Sequence, residues 1–524
     1  MSIVESLTGN RVVRGAADAI LARFACRRTL FLDHLDSAAV QERTLLRLVR
    51  HARDTQFGIE HDFARMRTVA DFQARVPLYQ YEDYWNGYWK TAYPHLDNIT
   101  WPGWVPYYAL SSGTTSGATK YIPVSREMLS SNRKAAFTTL ALYRHLYPHE
   151  PLFNGRVFFL GGSTELQHLP DGSRAGDLSA ISAIEVLGLL RPYTFPPLSL
   201  TAISDWETKV RRLAEESVRL PITVLSGVPA WMLVLFDHMN RITGKASIGE
   251  IWPELRVLIH GGTKFEPYRD LFRKEIGSDR VRFLEVYPCS EGFVATEDPR
   301  YNMLRLVPDH GIFFEFVPVD ELDRDRPTRH TLRTVEPGVQ YAVVMTTCAG
   351  LWSYIVGDTI AFEQREPPLL RFTGRTKYFL SAFGEHLISE EIEQAVAEAA
   401  NRTGASVQEF HVGPVFPTDP RQPGHHRYLV EFSRLPEDVQ RFAGEIDTAL
   451  ARLNEDYRAH RTGDLSMGGP EVVQVKTGGF LAWMLAHGKR PPQHKVPRMD
   501  NTGTLTESMR LWLQQNAELK ESSE

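Results

Sequence analysis

The sequence predicts an α/β fold in two parts. One is a large N-terminal domain with parallel and mixed sheets, helices and a β-rich section. The other is a small, mobile α+β C-terminal domain. Three observations carry this. First, 524 residues exceed what one ordinary hydrophobic core organises, so two or three domains are expected. Second, a unit recurs: a short apolar run, a turn rich in Gly, Ser or Pro, then a helix. That repetition argues for buried, largely parallel strands. Third, the pattern changes near Gly374-Arg375-Thr376-Lys377, which divides the chain into domains 1–377 and 378–524.

Residues 14–53 read as helical, with Ala17, Ile20, Leu21, Phe24 and Ala25, then Leu45, Leu46, Leu48 and Val49, at helical spacing. The segment 77–106 is dense in Tyr and Trp (Tyr79, Tyr81, Tyr84, Trp85, Tyr88, Trp89). It fits a packed surface-to-core layer better than a ligand cage, because these side chains dominate buried area in any large protein. A helix is expected from Arg126 to Tyr143. Strands are expected at Val157–Leu160, Ile222–Leu225, Leu255–Ile259 and Phe283–Val286. Each runs into a turn: Gly161-Gly162, Ser226-Gly227-Val228-Pro229, His260-Gly261-Gly262 and Tyr287-Pro288-Cys289-Ser290-Glu291-Gly292. Ligands of such sheets gather at the carboxyl ends of strands, where these turns sit. Residues 311–363 look more β. Beyond the boundary, Ser389 is the expected N-cap of a helix bearing Ile392, Ala395, Val396 and Ala399, with Glu390 and Glu391 suiting its positive end. A strand at 427–432, one long helix striped from Val439 to Tyr457, a strand at 472–475 and a short helix after Gly478-Gly479 complete the small domain.

Composition narrows the function classes. Hydrophobic residues at 43% and charged residues at 23% are globular values, and a net charge of -5 gives no electrostatic reason to expect nucleic acid or an anionic membrane as partner. The three cysteines, Cys26, Cys289 and Cys348, form neither a CxxC nor a metal spacing, which fits a reducing cytoplasm. The opening residues carry Glu5 and Asp18 and lack a long apolar stretch, so no secretory signal is expected. The most apolar later run, 222–236, is broken by Ser226, Gly227 and Pro229 and is too short to span a membrane. A cytoplasmic monomer acting on small molecules is the default expectation.

The most chemically suggestive stretch is Ser111-Ser112-Gly113-Thr114-Thr115-Ser116-Gly117-Ala118-Thr119-Lys120. Backbone N–H groups freed by glycine, with hydroxyls beside them, make a concave donor surface for phosphate oxygens, and a terminal lysine adds a point charge. It is not the NTPase P-loop, which has four residues between its glycines and Lys-Ser/Thr directly after. From composition alone, a solvated Ser/Thr/Gly loop explains it about equally well.

Four segments occur in order: SSGTTSGATKYIP (111–123), YPCSEG (287–292), YIVGD (354–358) and TGRTK (373–377), closed by the lysine-bearing QHKVPR (493–498). In this the chain resembles the adenylate-forming enzymes and, within them, the Gretchen Hagen auxin-responsive acyl acid amido synthetases, over nearly its whole length. Lys120 lies one residue further from Ser112 than in the Ser-Gly-Thr-Thr-Gly-x-Pro-Lys loop of most acyl-CoA ligases, with a proline three residues on. Ser226-Gly227-Val228-Pro229-Ala230-Trp231-Met232 is also similar to the amido synthetases. Two departures stand out. Ile355 replaces the arginine of the family's Tyr-Arg-x-Gly-Asp, and Pro288-Cys289 replaces smaller residues between Tyr287 and Ser290.

The resemblance implies a two-step reaction with ATP and Mg²⁺. A carboxylic acid is adenylated with loss of pyrophosphate, and the amine of an amino acid then displaces AMP to give an amide. It assigns phosphate binding to Ser111, Ser112, Gly113, Thr114 and Thr115, with Lys120, and places Cys289 and Ser290 in the nucleotide site. Tyr287 lies against adenine, Asp358 accepts both ribose hydroxyls, and Arg375 reaches ribose or α-phosphate. Glu291 holds Mg²⁺, since a hard dication takes oxygen ligands and one carboxylate with phosphate oxygens is a usual set. Lys495 stabilises charge on the α-phosphate, and Trp231 and Met232, with part of the aromatic segment 79–106, line the acyl pocket. Without the neighbouring segments each of these residues has a bland reading: a solvated glutamate, a turn aspartate, a core tyrosine, surface Arg and Lys. Two alternatives stay open. One is transfer of the acyl group to coenzyme A. The other is a catalytically silent nucleotide-binding homologue, which the intact Lys120, Glu291, Asp358, Arg375 and Lys495 argue against.

Overall fold

The computed structural model describes the chain except residues 1–10, 112–118, 162–165, 187, 189, 202, 204, 263–264, 266–267, 323, 377–378, 420–421, 462–465, 488–495, 517 and 520–524. The expected boundary between 377 and 378 therefore lies outside the described residues.

The N-terminal helical region is two helices, Arg11–Asp33 and Ser37–His51. Asp36 separates them: its carboxylate accepts the Ala39 N–H and caps the second. The first strands are β1 (Tyr107–Ser111) and β2 (Lys120–Val124), followed by the helix Arg126–Leu146, which Ser125 caps through the Met128 N–H. Then come β3 (Arg156–Leu160), β4 (Gln167–His168), β5 (Arg174–Gly176), β6 (Thr194–Phe195), β7 (Ile222–Gly227), β8 (Val257–His260) and β9 (Arg282–Cys289). Helices Trp206–Ser217, Pro229–Thr243 and Arg269–Ile276 fall between the parallel strands. The chain continues through β10 (Gly292–Asp298), β11 (Met303–Leu306), β12 (Ile312–Pro318), β13 (Gln340–Thr347), β14 (Tyr354–Gln364) and β15 (Leu369–Arg375).

One eleven-stranded sheet dominates, ordered β12-β13-β14-β15-β11-β10-β9-β8-β7-β3-β6. It is parallel from β6 to β9 and antiparallel from β9 to β12. The expectation of largely parallel strands thus holds for one half only. The other half alternates direction, and among its described residues no α-helix lies between β9 and β15 to make a parallel crossover. A second sheet, β2-β1-β5-β4, carries the Ser111/Lys120 hairpin.

The small domain contains β16 (Phe379–Leu380), β17 (Leu387–Ile388), β18 (Ser406–Val415), β19 (His425–Arg434) and β20 (Glu471–Val475), the last three forming one sheet. Two details differ from expectation. Ile388, not Ser389, is the N-cap of the helix Ser389–Thr403: the Glu391 carboxylate accepts the Ile388 N–H, and the Ser389 hydroxyl turns to Glu393. The long helix striped from 439 to 457 is two, Val439–Leu453 and Glu455–Arg461. Asn454 breaks it, its side chain accepting the Tyr457 N–H to start the second.

The aromatic segment is a packed layer. Tyr84 is fully buried, donates to the Trp352 carbonyl at 2.7 Å and accepts the Trp352 N–H at 2.6 Å. Phe57, Phe63 and Trp89 pack around this pair. The hydrophobic core of the parallel half runs without interruption into the small domain, joining Phe158, Leu258 and Phe272 to Leu380, Phe383 and Tyr428.

Buried charges tie the first helix to the sheet. The Arg28 guanidinium grips Asp309 through two 2.7 Å bonds, and Lys134 approaches the same carboxylate at 2.8 Å. Burial alone would raise the Asp309 carboxyl, but Arg28 and Lys134 hold it at about 2, below its ordinary 3.8. This contribution is therefore complete above about pH 4 and is lost as pH falls toward 2. Asp309→Asn is expected to cost about 3–5 kcal/mol in urea unfolding at pH 7, because it leaves Arg28 buried without a counter-charge. The deficit should shrink as pH falls from about 4, where the unfolded-state carboxylate protonates, toward about 2, where the native one does.

Candidate nucleotide site

The sequence-expected residues cluster at the ends of β9, β14 and β15. β9 ends at Cys289, and a two-residue turn, Ser290-Glu291, returns the chain into β10 with Gly292 opposite Cys289. Across the sheet, β14 and β15 pair Asp358 with Arg375. Residues directly opposite on antiparallel strands bring their side chains to the same face, and the Arg375 Nε lies 2.6 Å from Asp358 Oδ1. Each member of the pair follows a glycine with positive φ, Gly357 at 94° and Gly374 at 145°. A side chain at either position would be strained. The other Asp358 oxygen, Oδ2, accepts the Tyr287 hydroxyl at 2.8 Å.

Asp358 is 3% exposed and Tyr287 7%, so this is a desolvated constellation. Burial and then the Asp358 carboxylate push the Tyr287 hydroxyl well above its ordinary value, so it remains a donor. Burial works to lower Arg375, but Asp358, with Tyr287 and Glu291, more than offsets it. Glu291 is buried at its turn, and the fully buried Tyr354 hydroxyl points at its carboxylate. Burial first, then Glu291, push Tyr354 well above the usual range. Cys289 donates its thiol to the Gly292 carbonyl at 3.1 Å. Burial, then Glu291 and Asp358, raise it far above a reactive value. Ser290 is half-buried in the turn.

Ser111 and Lys120 face each other at the neck of the β1/β2 hairpin. Ser112, Gly113, Thr114 and Thr115 lie outside the described residues, as does Lys495. Lys120 is buried with its ammonium 5.4 Å from the Tyr81 ring centroid, and the Tyr81 hydroxyl accepts the Tyr121 N–H. Thr119 reaches the small domain, donating to Glu455 at 3.4 Å. Trp231, half-buried on the helix Pro229–Thr243, stacks on His460 of the small domain at 5.3 Å. Met232 beside it is fully buried in the core.

Sequence reasoning missed three partners. Tyr354 lay inside a quoted segment, Tyr81 lay in the aromatic run, and His460 had no distinguishing signal among 18 histidines.

The profile of the GH3 family N-terminal domain matches residues 32–185 and 171–281, that of the central domain 305–375 and that of the C-terminal domain 390–504. The chain belongs to the GH3 family. Among curated GH3 proteins, indole-3-acetic acid-amido synthetase GH3.8 of Oryza sativa subsp. indica is 24% identical over 94% of this chain and 93% of its own. Indole-3-acetic acid-amido synthetase GH3.4 of Arabidopsis thaliana is 30% identical over 88% and 89%. The solved GH3.15 acyl acid amido synthetase in complex with 2,4-DB superposes with a TM-score of 0.59 at 18% identity, over 98% of this chain and 97% of its own. That likeness confirms the α/β fold with its small C-terminal domain.

The donors present fit a nucleotide and a hard cation. Asp358 uses one lone pair on each oxygen and keeps acceptor capacity for hydroxyls. Glu291 is a buried carboxylate at a turn. Among the described residues no group of three or more His, Cys, Asp or Glu is placed to hold a metal ion. Among the described residues no helix is long and apolar enough to cross a membrane.

The raised thiols give a direct check. Cys26 is exposed, whereas Cys289 is raised and Cys348 is pushed up to about 12, chiefly by burial. Iodoacetamide at pH 8 is expected to label Cys26 alone in the native protein, read by peptide mass spectrometry. Labelling of Cys289 at a comparable rate would show that the turn is open to solvent.

Proposed function

We propose that this protein is an ATP-dependent acyl acid amido synthetase. It adenylates a carboxylic acid, releasing pyrophosphate, and passes the acyl group to the amine of an amino acid, releasing AMP. The observation that carries this reading is the buried Tyr287–Asp358–Arg375 constellation, in a chain that matches GH3 profiles across most of its length.

In the first step a carboxylate oxygen attacks the α-phosphorus of ATP. Positioning and charge neutralisation are the protein's main contributions to such a transfer. Asp358 accepts the ribose hydroxyls, Arg375 holds Asp358 and faces the phosphate side, and Tyr287 lies at the base. Ser111 and the 112–115 loop hold the β- and γ-phosphates, with Lys120 drawn from its place over Tyr81. Cys289 and Ser290 contribute the wall of the turn. Glu291, with the Tyr354 hydroxyl at its carboxylate, would hold Mg²⁺, which would supply neutralisation of phosphate charge. Lys495 reaches the α-phosphate from the small domain. Trp231 borders the acyl pocket, with Met232 supporting it from the core. Rotation of the domain 378–524 about residues 375–378, which would separate His460 from Trp231, belongs to the same proposal.

The relatives' acid, indole-3-acetic acid, is aromatic, and an aromatic or cyclic acid is the class we propose here. The protein works as a cytoplasmic monomer without nucleic acid or membrane partners. The test is a product assay by mass spectrometry with ATP, Mg²⁺, a panel of aromatic, indole and fatty acids, the twenty amino acids and coenzyme A together. An acyl-amino acid with AMP is expected, and an acyl-CoA product would replace this reading with thioester ligation. In pyrophosphate exchange, Lys495→Ala is expected to lose about 10²–10³-fold, the cost of removing one preorganised charge donor. An unchanged rate in a folded variant would remove Lys495 from the site.

A further inference from the structure

Resting on the reading of Asp358 as the ribose acceptor, we propose that the Tyr287 hydroxyl is the positioning group for that carboxylate. In this role it makes selectivity for a ribonucleotide a property of Tyr287 as well as of Asp358. Tyr287 and Asp358 are 71 residues apart and sit on different strands, β9 and β14, which are not neighbours in the sheet. Their 2.8 Å bond is the described side-chain hydrogen bond between them. Arg375 Nε, on the neighbouring strand β15, holds the other oxygen, Oδ1, at 2.6 Å. The carboxylate is therefore held at both oxygens, by groups from two different strands.

The clamp matters because two vicinal hydroxyls are read best by a carboxylate whose plane is set before the ligand arrives. A free aspartate would lose torsional freedom on binding. The clamped one has already lost it, so the cost falls on folding and not on ligand affinity. The Tyr287 ring is itself held, edge to face with Phe372 at 5.6 Å and 80°, so the hydroxyl has little room to swing away. The ring gives a flat face for a base. The hydroxyl does separate work that a phenylalanine would not do.

The test is equilibrium binding of Mg²⁺-ATP and Mg²⁺-2′,3′-dideoxy-ATP by calorimetry, which needs no knowledge of the acid. The native protein is expected to prefer ATP. Tyr287→Phe should reduce that preference about tenfold or more, the range of one hydrogen bond to a charged group, by weakening ATP and leaving the dideoxy nucleotide unchanged. Incorporating 4-aminophenylalanine at 287, which keeps a ring and a donor, should restore the preference. Should Tyr287→Phe not fold, the 4-amino variant beside 4-methylphenylalanine, with no donor, makes the same comparison.

A native-like preference in Tyr287→Phe, with Asp358→Asn abolishing it, overturns the proposal and spares the ribose reading. A preference unchanged in Asp358→Asn, or no ATP binding by the native protein, overturns both.

Discussion

Strand β9 belongs to two kinds of sheet at once, and much of the molecule follows from that. On one side it pairs parallel with β8, with slanted, evenly spaced hydrogen bonds. On the other it pairs antiparallel with β10, in alternating close and wide pairs. Parallel strands need crossovers, and the helices Trp206–Ser217, Pro229–Thr243 and Arg269–Ile276 occupy them. Antiparallel strands can be joined by two residues, here Ser290 and Glu291. The carboxyl end of β9 is thus both the open edge of a parallel sheet, where ligands collect, and the tip of a hairpin. A loop at that edge is usually long and irregular. Here it is two residues long, which is why Glu291 can be buried at a fixed place.

The sequence made four of the five parallel strands visible because each is an apolar run closed by Gly, Ser or Pro, whereas the two-residue β6 gave no such signal. Ile222-Thr223-Val224-Leu225 and Phe283-Leu284-Glu285-Val286 are examples. The antiparallel half was legible as β but not as part of the same sheet. The pairing of β11 with β15 joins residues some sixty apart, and local periodicity carries no information about it. The Ser389 cap failed for a different reason. Two capping chemistries competed within three residues, and the glutamate reaching back to Ile388 won. At the site, residue types were legible and partners were not. Asp358 and Arg375 stood in separate quoted segments, and only the register of β14 with β15 makes them one ion pair.

The two departures from the family pattern now have physical settings. Ile355 sits on β14 opposite Val344 and donates its N–H to the Tyr79 carbonyl, three residues before Asp358 along a bulged strand. The Asp358 carboxylate nonetheless has a guanidinium, supplied by Arg375, so the charge lost at 355 is not lost from that pair. Cys289 follows Pro288 at the strand end, and its thiol closes the hairpin on the Gly292 carbonyl. That bond stiffens the turn that fixes Glu291. Both replacements fall beside the constellation and leave the Tyr287 hydrogen bond and the Arg375 ion pair of Asp358 in place.

Burial has a consequence for how such a site can decay. A carboxylate 3% exposed is tolerable only while it is paired. Removing Arg375 or Tyr287 would leave Asp358 with part of its desolvation uncompensated. Stability therefore constrains these three residues independently of catalysis.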